Sequence, residues 1–324
     1  MTDPQKPLLV YGANGYTGQL IIEAAVARGL RPIVAGRSRG ALDAVAKRHG
    51  LETRVFGITD RVEIGGALKG VGAVLHCAGP FSRTFRAMLE GCMDAGAHYL
   101  DITGEIEVFE SVRERHLEVE RAGILAMPGV GFDIVPTDCL AAHLHRRLPD
   151  ATHLELAFRM IGGSISHGTL TTMVENLHKG GLVREKGRLV RIETGSRNRM
   201  VDFGRGPVHC SAIPWGDVST AYSTTGITNI AVYTPMPKAA AFAGRVTAPL
   251  AGLLSSGPVQ RFLKARVDAR PAGPTAEQRA TGQALIWGEV RNERGQTAAA
   301  RLSTPEGYTL TADASVRIAE RVLA

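Results

Sequence analysis

The sequence is poor in cysteine, and its cysteines lie far apart. Only four occur among 324 residues, and no two of them form a CxxC pair; they are Cys77, Cys92, Cys139 and Cys210. This spacing argues against a zinc site and against a disulfide framework. We therefore expect a protein without a metal ion that works in a reducing compartment, the cytoplasm.

Dense runs of one charge are also missing. The formal net charge is +7, but the basic residues are scattered, and aromatic residues, which make up 5% of the chain, rarely lie between them. A nucleic-acid-binding surface needs clustered cations, so we expect no nucleic-acid partner. The charge predicts a solvated basic surface first, and binding of phosphorylated small molecules second.

Long uninterrupted apolar runs are absent as well. The first six residues are polar and the first apolar run is short, so no signal peptide is expected. Residues 238–259 are apolar and rich in alanine, but Arg245, Pro249 and Pro258 interrupt the roughly 20 apolar residues that a membrane span needs. Two interpretations stay open for this segment: core helices, or an amphipathic lid or peripheral membrane contact.

What the chain does have is a glycine-rich opening. An apolar run at residues 8–11 is followed by glycines spaced three apart and then by apolar residues at helical spacing from 19 to 27. Strand, glycine turn and helix in this order are typical of a dinucleotide-binding βαβ unit, whose first helix binds phosphate at its amino end. The predicted cofactor contacts in this stretch are Gly12, Asn14, Gly15, Tyr16, Thr17 and Gly18.

The end of the second predicted strand indicates which cofactor fits. An NAD enzyme usually carries an Asp or Glu at this place, to bind the ribose 2′-hydroxyl. Here the strand at 31–35 is followed by Gly36, Arg37 and Ser38. A guanidinium suits a 2′-phosphate, and a hydroxyl adds a hydrogen bond. We therefore predict NADP(H) rather than NAD(H).

The fourth predicted strand, residues 71–77, leads into a loop of small residues. Ligands of doubly wound sheets bind beyond the carboxyl ends of the strands. The residues that would lie beside the ribose and the nicotinamide are Cys77, Ala78, Gly79, Pro80 and Phe81. Pro80 and Phe81 would shape the pocket for the ring.

Strands and helices alternate as far as residue 147, and short strand candidates dominate afterwards. This pattern predicts an α/β fold: a Rossmann-type doubly wound parallel sheet, and a second α+β domain with a largely antiparallel sheet. We place the domains at 1–148 and 149–310. A last helix, 311–324, would return to the first domain, and the turn at Asn292–Gly295 would join two strands of a hairpin.

Five separate motifs resemble one family. They are Gly12–Gly18, Gly36–Ser38, Ala78–Phe81, His98–Glu105 and Gly131–Asp138. In order and spacing they resemble the saccharopine dehydrogenase-like oxidoreductases, and within these the branch of trans-acting enoyl reductases. The resemblance implies NADP(H) binding and reductase activity. We also assign a cofactor contact to Ile58, next to Gly57, where many relatives carry an Asp.

Two residues are candidates for catalytic roles. Asp133 follows a predicted strand end, and His167 lies in the small-residue stretch from Gly162 to Thr169. Asp133 would orient nicotinamide or substrate, and His167 would donate a proton. The structural alternatives are a cap of the helix that starts near Pro136 for the aspartate, and the first residue of a helix for the histidine.

These observations lead to one expected function and two alternatives. The expected protein is an NADPH-dependent reductase of an enoyl or acyl lipid-type substrate, with hydride transfer in a cleft between its domains. One alternative is a saccharopine-type imine reductase acting on an amino-acid adduct. The other is a non-catalytic NADPH-binding regulator. A homodimer through the second domain is expected only by analogy.

Overall fold

The computed structural model describes residues 6–162, 165–176, 180–237 and 271–324, together with the single positions 257, 259 and 266. The chain divides into two compact units, Met1–Phe132 with Tyr308–Ala324, and Asp133–Gly307. Our predicted boundary after residue 148 differs from this division. The helix before it belongs to the second unit, because Leu140 and Leu144 lie against the backbone of Gly288, which is in that unit.

The first unit contains a six-stranded parallel sheet. Its strand order is β3-β2-β1-β4-β5-β6, and every paired register in it is parallel. The strands are β1 (Leu8–Tyr11), β2 (Ile33–Gly36), β3 (Thr53–Val55), β4 (Ala73–His76), β5 (His98–Asp101) and β6 (Ala126–Met127). The chain starts in the middle of the sheet and builds outward on both sides, which confirms the predicted doubly wound fold.

Helices cover both faces of this sheet. They are α1 (Tyr16–Ala27), α2 (Arg39–His49), α3 (Arg61–Ala67), α4 (Phe81–Ala95), α5 (Ile106–Glu114) and α6 (His116–Arg121). Asp60 caps α3, since its carboxylate accepts the amides of Val62 and Glu63 at 2.8 and 3.4 Å. The last two of these helices, α5 and α6, meet at Arg115.

The second unit is built on a mixed eight-stranded sheet. The main strand order is β10-β11-β12-β7-β13-β14, with β8 pairing β12 and β9 pairing β8, and the β7–β12 pair is parallel while the other pairs are antiparallel. The elements are α7 (Val135–Arg147), β7 (His153–Ile161), α8 (His167–Asn176), β8 (Gly181–Glu185), β9 (Arg188–Ile192), β10 (Asn198–Asp202), β11 (Pro207–Ile213), α9 (Asp217–Thr225), β12 (Asn229–Pro235), α10 (Ala276–Thr281), β13 (Gln283–Arg291) and β14 (Thr297–Pro305).

The hairpin between β13 and β14 forms at the predicted turn. The side-chain oxygen of Asn292 accepts the amides of Arg294 and Gln296 at 3.1 and 2.9 Å, and Gly295 has a φ of +79°. Asparagine and glycine therefore close this turn by the chemistry that the sequence indicates.

The last helix, α11 (Gly307–Leu323), packs on the first unit. Its residues Ala312, Val316 and Ala319 lie in the same core cluster as Val10 of β1 and Ile21 of α1. The predicted return of the final helix is present, and it starts four residues earlier than the predicted position 311.

Asp101 ties together the carboxyl ends of β5 and β6. One carboxylate oxygen accepts the amides of Thr103 and Gly129, both at 2.9 Å, and the other accepts the hydroxyl of Tyr99 at 2.6 Å. Burial raises the pKa of Asp101 to about 6, while these three donors act to lower it. The side chain is therefore ionised at neutral pH, and the three donors satisfy its buried charge.

We expect Asp101→Ala to lower the free energy of unfolding of the first unit by about 3 kcal/mol, because buried donors lose a charged acceptor. Tyr99→Phe removes one of the three donors and should cost about 1 kcal/mol. Urea unfolding followed by far-UV circular dichroism measures both changes. The two tryptophans, Trp215 and Trp287, lie in the second unit, so their fluorescence is an internal control. A fluorescence transition that moves as far as the dichroism transition would contradict the local assignment.

Candidate functional site

The glycine turn after β1 has the geometry of a phosphate-binding turn. Gly12 has a φ of +82°, and its amide donates to the carbonyl of Ala35 in β2 at 2.8 Å. The amide of Gly15 then donates back to the carbonyl of Gly12 at 3.0 Å. Gly15 is exposed and immediately precedes the first residue of α1. The first amides of that helix have no partners within the helix, so they can donate to a pyrophosphate.

Two of the glycines are required by close backbone packing. A Cβ on Gly18 would lie 2.3 Å from the carbonyl oxygen of Gly12, and a Cβ on Gly12 would lie 3.0 Å from the amide nitrogen of Ala78. The turn is thus pressed against α1 on one side and against the loop after β4 on the other. Asn14, Tyr16 and Thr17 complete the predicted contacts, and Asn14 is exposed beside Gly15.

The end of β2 lies next to this turn. A Cβ on Gly36 would be 3.3 Å from the side-chain oxygen of Asn14. Arg37 follows and is exposed, and within the described part of the chain its guanidinium makes no hydrogen bond or ion pair. Ser38 is the residue before α2 and its side chain makes no capping hydrogen bond. Both side chains are therefore in position to contact the adenosine end of a cofactor that binds the turn.

The loop after β4 is held in place by the residues around it. Thr84 donates from its hydroxyl to the carbonyl of Ala78 at 2.9 Å, and the carboxylate of Glu105 accepts the amides of Phe81 and Ser82 at 2.7 and 3.0 Å. The peptide between Gly79 and Pro80 is cis. Glu105, which follows β5, thus fixes the amino end of α4 and has a structural role.

The remaining predicted cofactor residues lie around the same loop. Ile58, Ala78 and Phe81 are half-buried and pack against one core cluster, and the amide of Cys77 donates to the carbonyl of Tyr11 at 2.8 Å. The structure therefore brings the strand ends of β1, β2 and β4 together at one edge of the sheet. This geometry is compatible with the predicted contacts between these residues and a cofactor, which stay a prediction.

His76 is a residue that sequence reasoning missed. It is fully buried at the end of β4, and its Nε2 lies 2.9 Å from the hydroxyl of Thr84. Burial lowers the pKa of His76 to about 3, so the ring is neutral at physiological pH. A polar residue inside an otherwise apolar strand is the signal that could have singled it out.

Asp133, the first predicted catalytic residue, does not cap α7. Among the described residues its carboxylate makes no hydrogen bond, and the residue preceding α7 is Ile134, which has no side-chain capping bond. Instead, the indole N–H of Trp215 donates to the backbone carbonyl of Asp133 at 2.7 Å, and the Trp215 ring packs on Phe158. Burial raises the pKa of Asp133 to about 7.

Two further carboxyl groups accompany Asp133, and the sequence did not single them out. Asp217, the first residue of α9, is fully buried, and neither of its oxygens has a hydrogen-bond partner in the described chain. Burial raises its pKa well above the usual range, and the negative charges of Asp138 and Asp133 raise it further. Asp138 accepts the hydroxyl of Thr224 at 2.7 Å. The second unit therefore contains a group of acidic side chains whose surroundings favour the protonated form.

His167, the second predicted catalytic residue, is the first residue of α8. This position at the start of a helix is the structural alternative that the sequence indicated. Its backbone amide donates to the carbonyl of Ala272 at 3.1 Å. Gly163 and Ser164 of the same motif lie outside the described residues. A role for His167 as a proton donor stays a prediction.

The apolar segment at 238–259 also lies outside the described residues, apart from positions 257 and 259. No helix in the described part of the chain has the length and apolar character to span a membrane. All four cysteines are free thiols, with Cys139 exposed and Cys77 half-buried. In the described ranges, no group of three or more His, Cys, Asp or Glu side chains is arranged to hold a metal ion.

Comparison with known proteins identifies the family of the first unit. Residues 8–127 match the family model described as the saccharopine dehydrogenase NADP binding domain. This match confirms the resemblance through the four motifs that lie within it, and it confirms the prediction of NADP(H) as cofactor. The matched range includes the glycine turn, Arg37 and the loop after β4.

Curated relatives are similar over part of their length. A human saccharopine dehydrogenase-like oxidoreductase is 28% identical over 160 residues, which are 43% of this chain and 37% of that protein. A protein of Mycobacterium tuberculosis named as a trans-acting enoyl reductase is 29% identical over 183 residues, 52% of this chain and 44% of the relative. A lipid droplet localized protein of Caenorhabditis elegans is 25% identical over 205 residues, 57% of this chain and 48% of the relative. The chain thus aligns with less than half of each relative.

A solved structure shares the fold over nearly the whole chain. The apo saccharopine dehydrogenase (L-Glu forming) of Saccharomyces cerevisiae aligns with a TM-score of 0.65, covering 98% of this chain and 91% of that one, at 12% sequence identity. At this identity the likeness concerns the fold alone. It agrees with a parallel sheet domain followed by a second domain with a mixed sheet.

We expect Arg37→Gln to weaken NADPH binding by about 10- to 100-fold, because a charge-assisted hydrogen bond to the 2′-phosphate is lost. NADH lacks that phosphate, so the dissociation constant for NADH should differ less than about twofold between the variant and the wild type. Fluorescence titration of the purified protein with both cofactors measures the change. Arg48→Gln, at the other end of α2, is the matched control. Equal weakening for both cofactors would contradict the assignment of Arg37.

Proposed function

We propose that the protein is an NADPH-dependent oxidoreductase, because residues 8–127 match the model of the saccharopine dehydrogenase NADP binding domain. The observation that carries this proposal is the edge of the parallel sheet where the glycine turn, Arg37 and the loop after β4 meet. These residues offer helix amides for a pyrophosphate, a free guanidinium for a 2′-phosphate and a small-residue loop for the rest of the cofactor.

The bound nicotinamide would supply the hydride, and the protein would supply position and charge. The amides at the start of α1 hold the pyrophosphate, and Arg37 selects the phosphorylated ribose. The loop at Ala78–Phe81 is fixed by Thr84 and Glu105, so it can define where the ring lies. Such preorganised contacts are what a hydride-transfer enzyme needs from its protein.

Asp133 is the group that best fits the proton chemistry of the reaction. A reduction that places negative charge on the substrate requires a proton donor. With its pKa raised to about 7 and its carboxyl group not used as a helix cap, Asp133 can hold a proton near neutral pH and release it. His167 is the second candidate, and the two are separated by the experiments below.

For the substrate we propose an enoyl or acyl lipid-type molecule. Two relatives support this choice by their names, one as a trans-acting enoyl reductase and one as a lipid droplet localized protein. The apolar composition of residues 238–259 agrees with it, whether the segment forms a lid, a core or a peripheral membrane contact. A cytoplasmic location and a homodimer complete the proposal.

The test is NADPH oxidation by the purified chain against a small panel of acceptors. The panel contains medium- and long-chain trans-enoyl thioesters, and 2-oxo acids mixed with amino acids. Turnover of the thioesters is the expected result. Turnover only with an oxo acid plus an amine would replace the lipid proposal with an imine reductase, and tight NADPH binding without turnover on either class would favour a regulator.

The pH dependence tests Asp133 as the proton donor. The protonated acid is the active form, so kcat/KM for reduction should fall about tenfold per pH unit above pH 7, the pKa to which burial raises this carboxyl group. Asp133→Asn should lower kcat by about 100-fold or more and abolish this pH dependence. Asp150→Asn, after the end of α7, serves as the control. If His167→Ala removes the pH dependence and Asp133→Asn keeps it, the histidine is the donor instead.

A further inference from the structure

The C-terminal helix α11 lies outside the range that matches the family model, yet it is part of the first unit. It runs beside α1 in the same direction, because the two helices contact each other at corresponding ends. Tyr308, in its first turn, faces Tyr16 in the first turn of α1. Near its other end, Glu320 accepts a hydrogen bond from Arg28, which follows α1, at 3.0 Å.

The contact at the amino ends lies at the cofactor turn. The rings of Tyr16 and Tyr308 meet edge to face, with centroids 5.2 Å apart and an interplanar angle of 89°. Both side chains are half-buried. Tyr16 is the first residue of α1, so its backbone belongs to the turn that presents amides to a pyrophosphate. Because Tyr308 contacts the ring of Tyr16, a change in the position of Tyr308 would change the packing of that turn.

The first turn of α11 is itself anchored. The hydroxyl oxygen of Thr311 accepts the amide of Phe132 at 2.9 Å, and a Cβ on Gly131 would lie 3.0 Å from the Thr311 side chain. Phe132 is the last residue before the chain enters the second unit, and Tyr308 is the first residue after it returns. The hydrogen bond between Phe132 and Thr311 therefore joins the place where the chain leaves the first unit to the place where it returns. Asp133 is the residue that follows Phe132.

We propose that Tyr308 is a positioning residue for NADP(H) binding, which acts through its ring contact with Tyr16 to hold the first turn of α1. The proposal rests on the proposed function, because it requires the cofactor at the glycine turn. It adds a site residue from the last helix of the chain, far in sequence from the turn that it supports. It also implies that residues 8–127 alone do not form the complete cofactor site.

The chemistry of the pair explains why a tyrosine ring is suited to this role. An edge-to-face aromatic contact is directional, so it restricts the rotation of both rings and with them the backbone of the turn. Its strength corresponds to about a two- to tenfold change in a binding constant. The hydroxyl of Tyr308 is not needed for the ring contact. Phenylalanine should therefore replace Tyr308 in this role, and alanine should not.

The test is fluorescence titration of the full chain with NADPH. Tyr308→Ala should weaken binding about fivefold, and Tyr308→Phe should bind within about twofold of the wild type. Glu320→Gln removes the ion pair between α11 and Arg28, at the end of α1 far from the turn, and it should leave the dissociation constant unchanged. Thermal unfolding of each variant shows whether the first unit is still folded.

A double-mutant cycle tests whether Tyr308 acts through Tyr16. In the Tyr16→Ala background, Tyr308→Ala should add no further loss of affinity, because the ring that it contacts is already gone. An additive loss would overturn the proposed route. A Tyr308→Ala variant that is folded, less stable and equal to wild type in NADPH affinity would reduce Tyr308 to a merely structural residue and overturn the proposal.

Failure of this proposal can be distinguished from failure of the proposed function. If the wild type binds NADPH and Tyr308→Ala binds it equally well, the positioning role is wrong and the oxidoreductase proposal is unaffected. If the wild type itself does not bind NADPH, both proposals are overturned together. The Arg37→Gln variant tells the two cases apart, because its loss of affinity requires cofactor at the turn and does not involve α11.

Discussion

The close approach of α1 to the end of β1 is the constraint on which the rest of the first unit depends. A Cβ on Gly18 would lie only 2.3 Å from the carbonyl oxygen of Gly12, so any side chain at that position would push the helix away from the sheet. With glycine there, the amino end of the helix stays at the sheet edge. Arg37, the loop after β4 and the first turn of α11 are then arranged around this end.

Three carboxyl groups of the first unit and two of the second differ in how they are hydrogen-bonded. In the first unit, Asp60, Asp101 and Glu105 each accept two or more hydrogen bonds and thereby fix a helix end or a loop. In the second unit, Asp217 is fully buried and Asp133 half-buried, neither carboxyl group has such donors among the described residues, and burial raises the pKa of both. Satisfied carboxylates give rigidity, whereas burial without donors favours the protonated form, and it brings the pKa of Asp133 to about 7. This contrast agrees with a cofactor scaffold in one unit and proton chemistry in the other.

Local signals account for the parts of the fold that could be predicted. Apolar strands, glycine turns and the Asp60 cap each depend on residues that are neighbours in the chain. The parallel arrangement of β1 to β6 follows from the alternation of strands and helices. Three elements were missed. The strand β8 is short and begins with glycine, α9 is rich in serine and threonine, which are weak helix formers, and α10 was overlooked despite its capping box of Thr275 and Gln278.

By itself, the sequence determined the doubly wound sheet, the glycine turn, the arginine that indicates NADP(H), and the resemblance of the first unit to saccharopine dehydrogenase-like oxidoreductases. These depend on residues that are close together in the chain, so their spacing is enough. Only the tertiary structure decided the domain boundary at Phe132, the role of Glu105 at the start of α4, the surroundings of Asp133 and the pairing of Tyr16 with Tyr308. Those features join residues that are far apart in the chain, and packing and burial, which no local pattern records, bring them together.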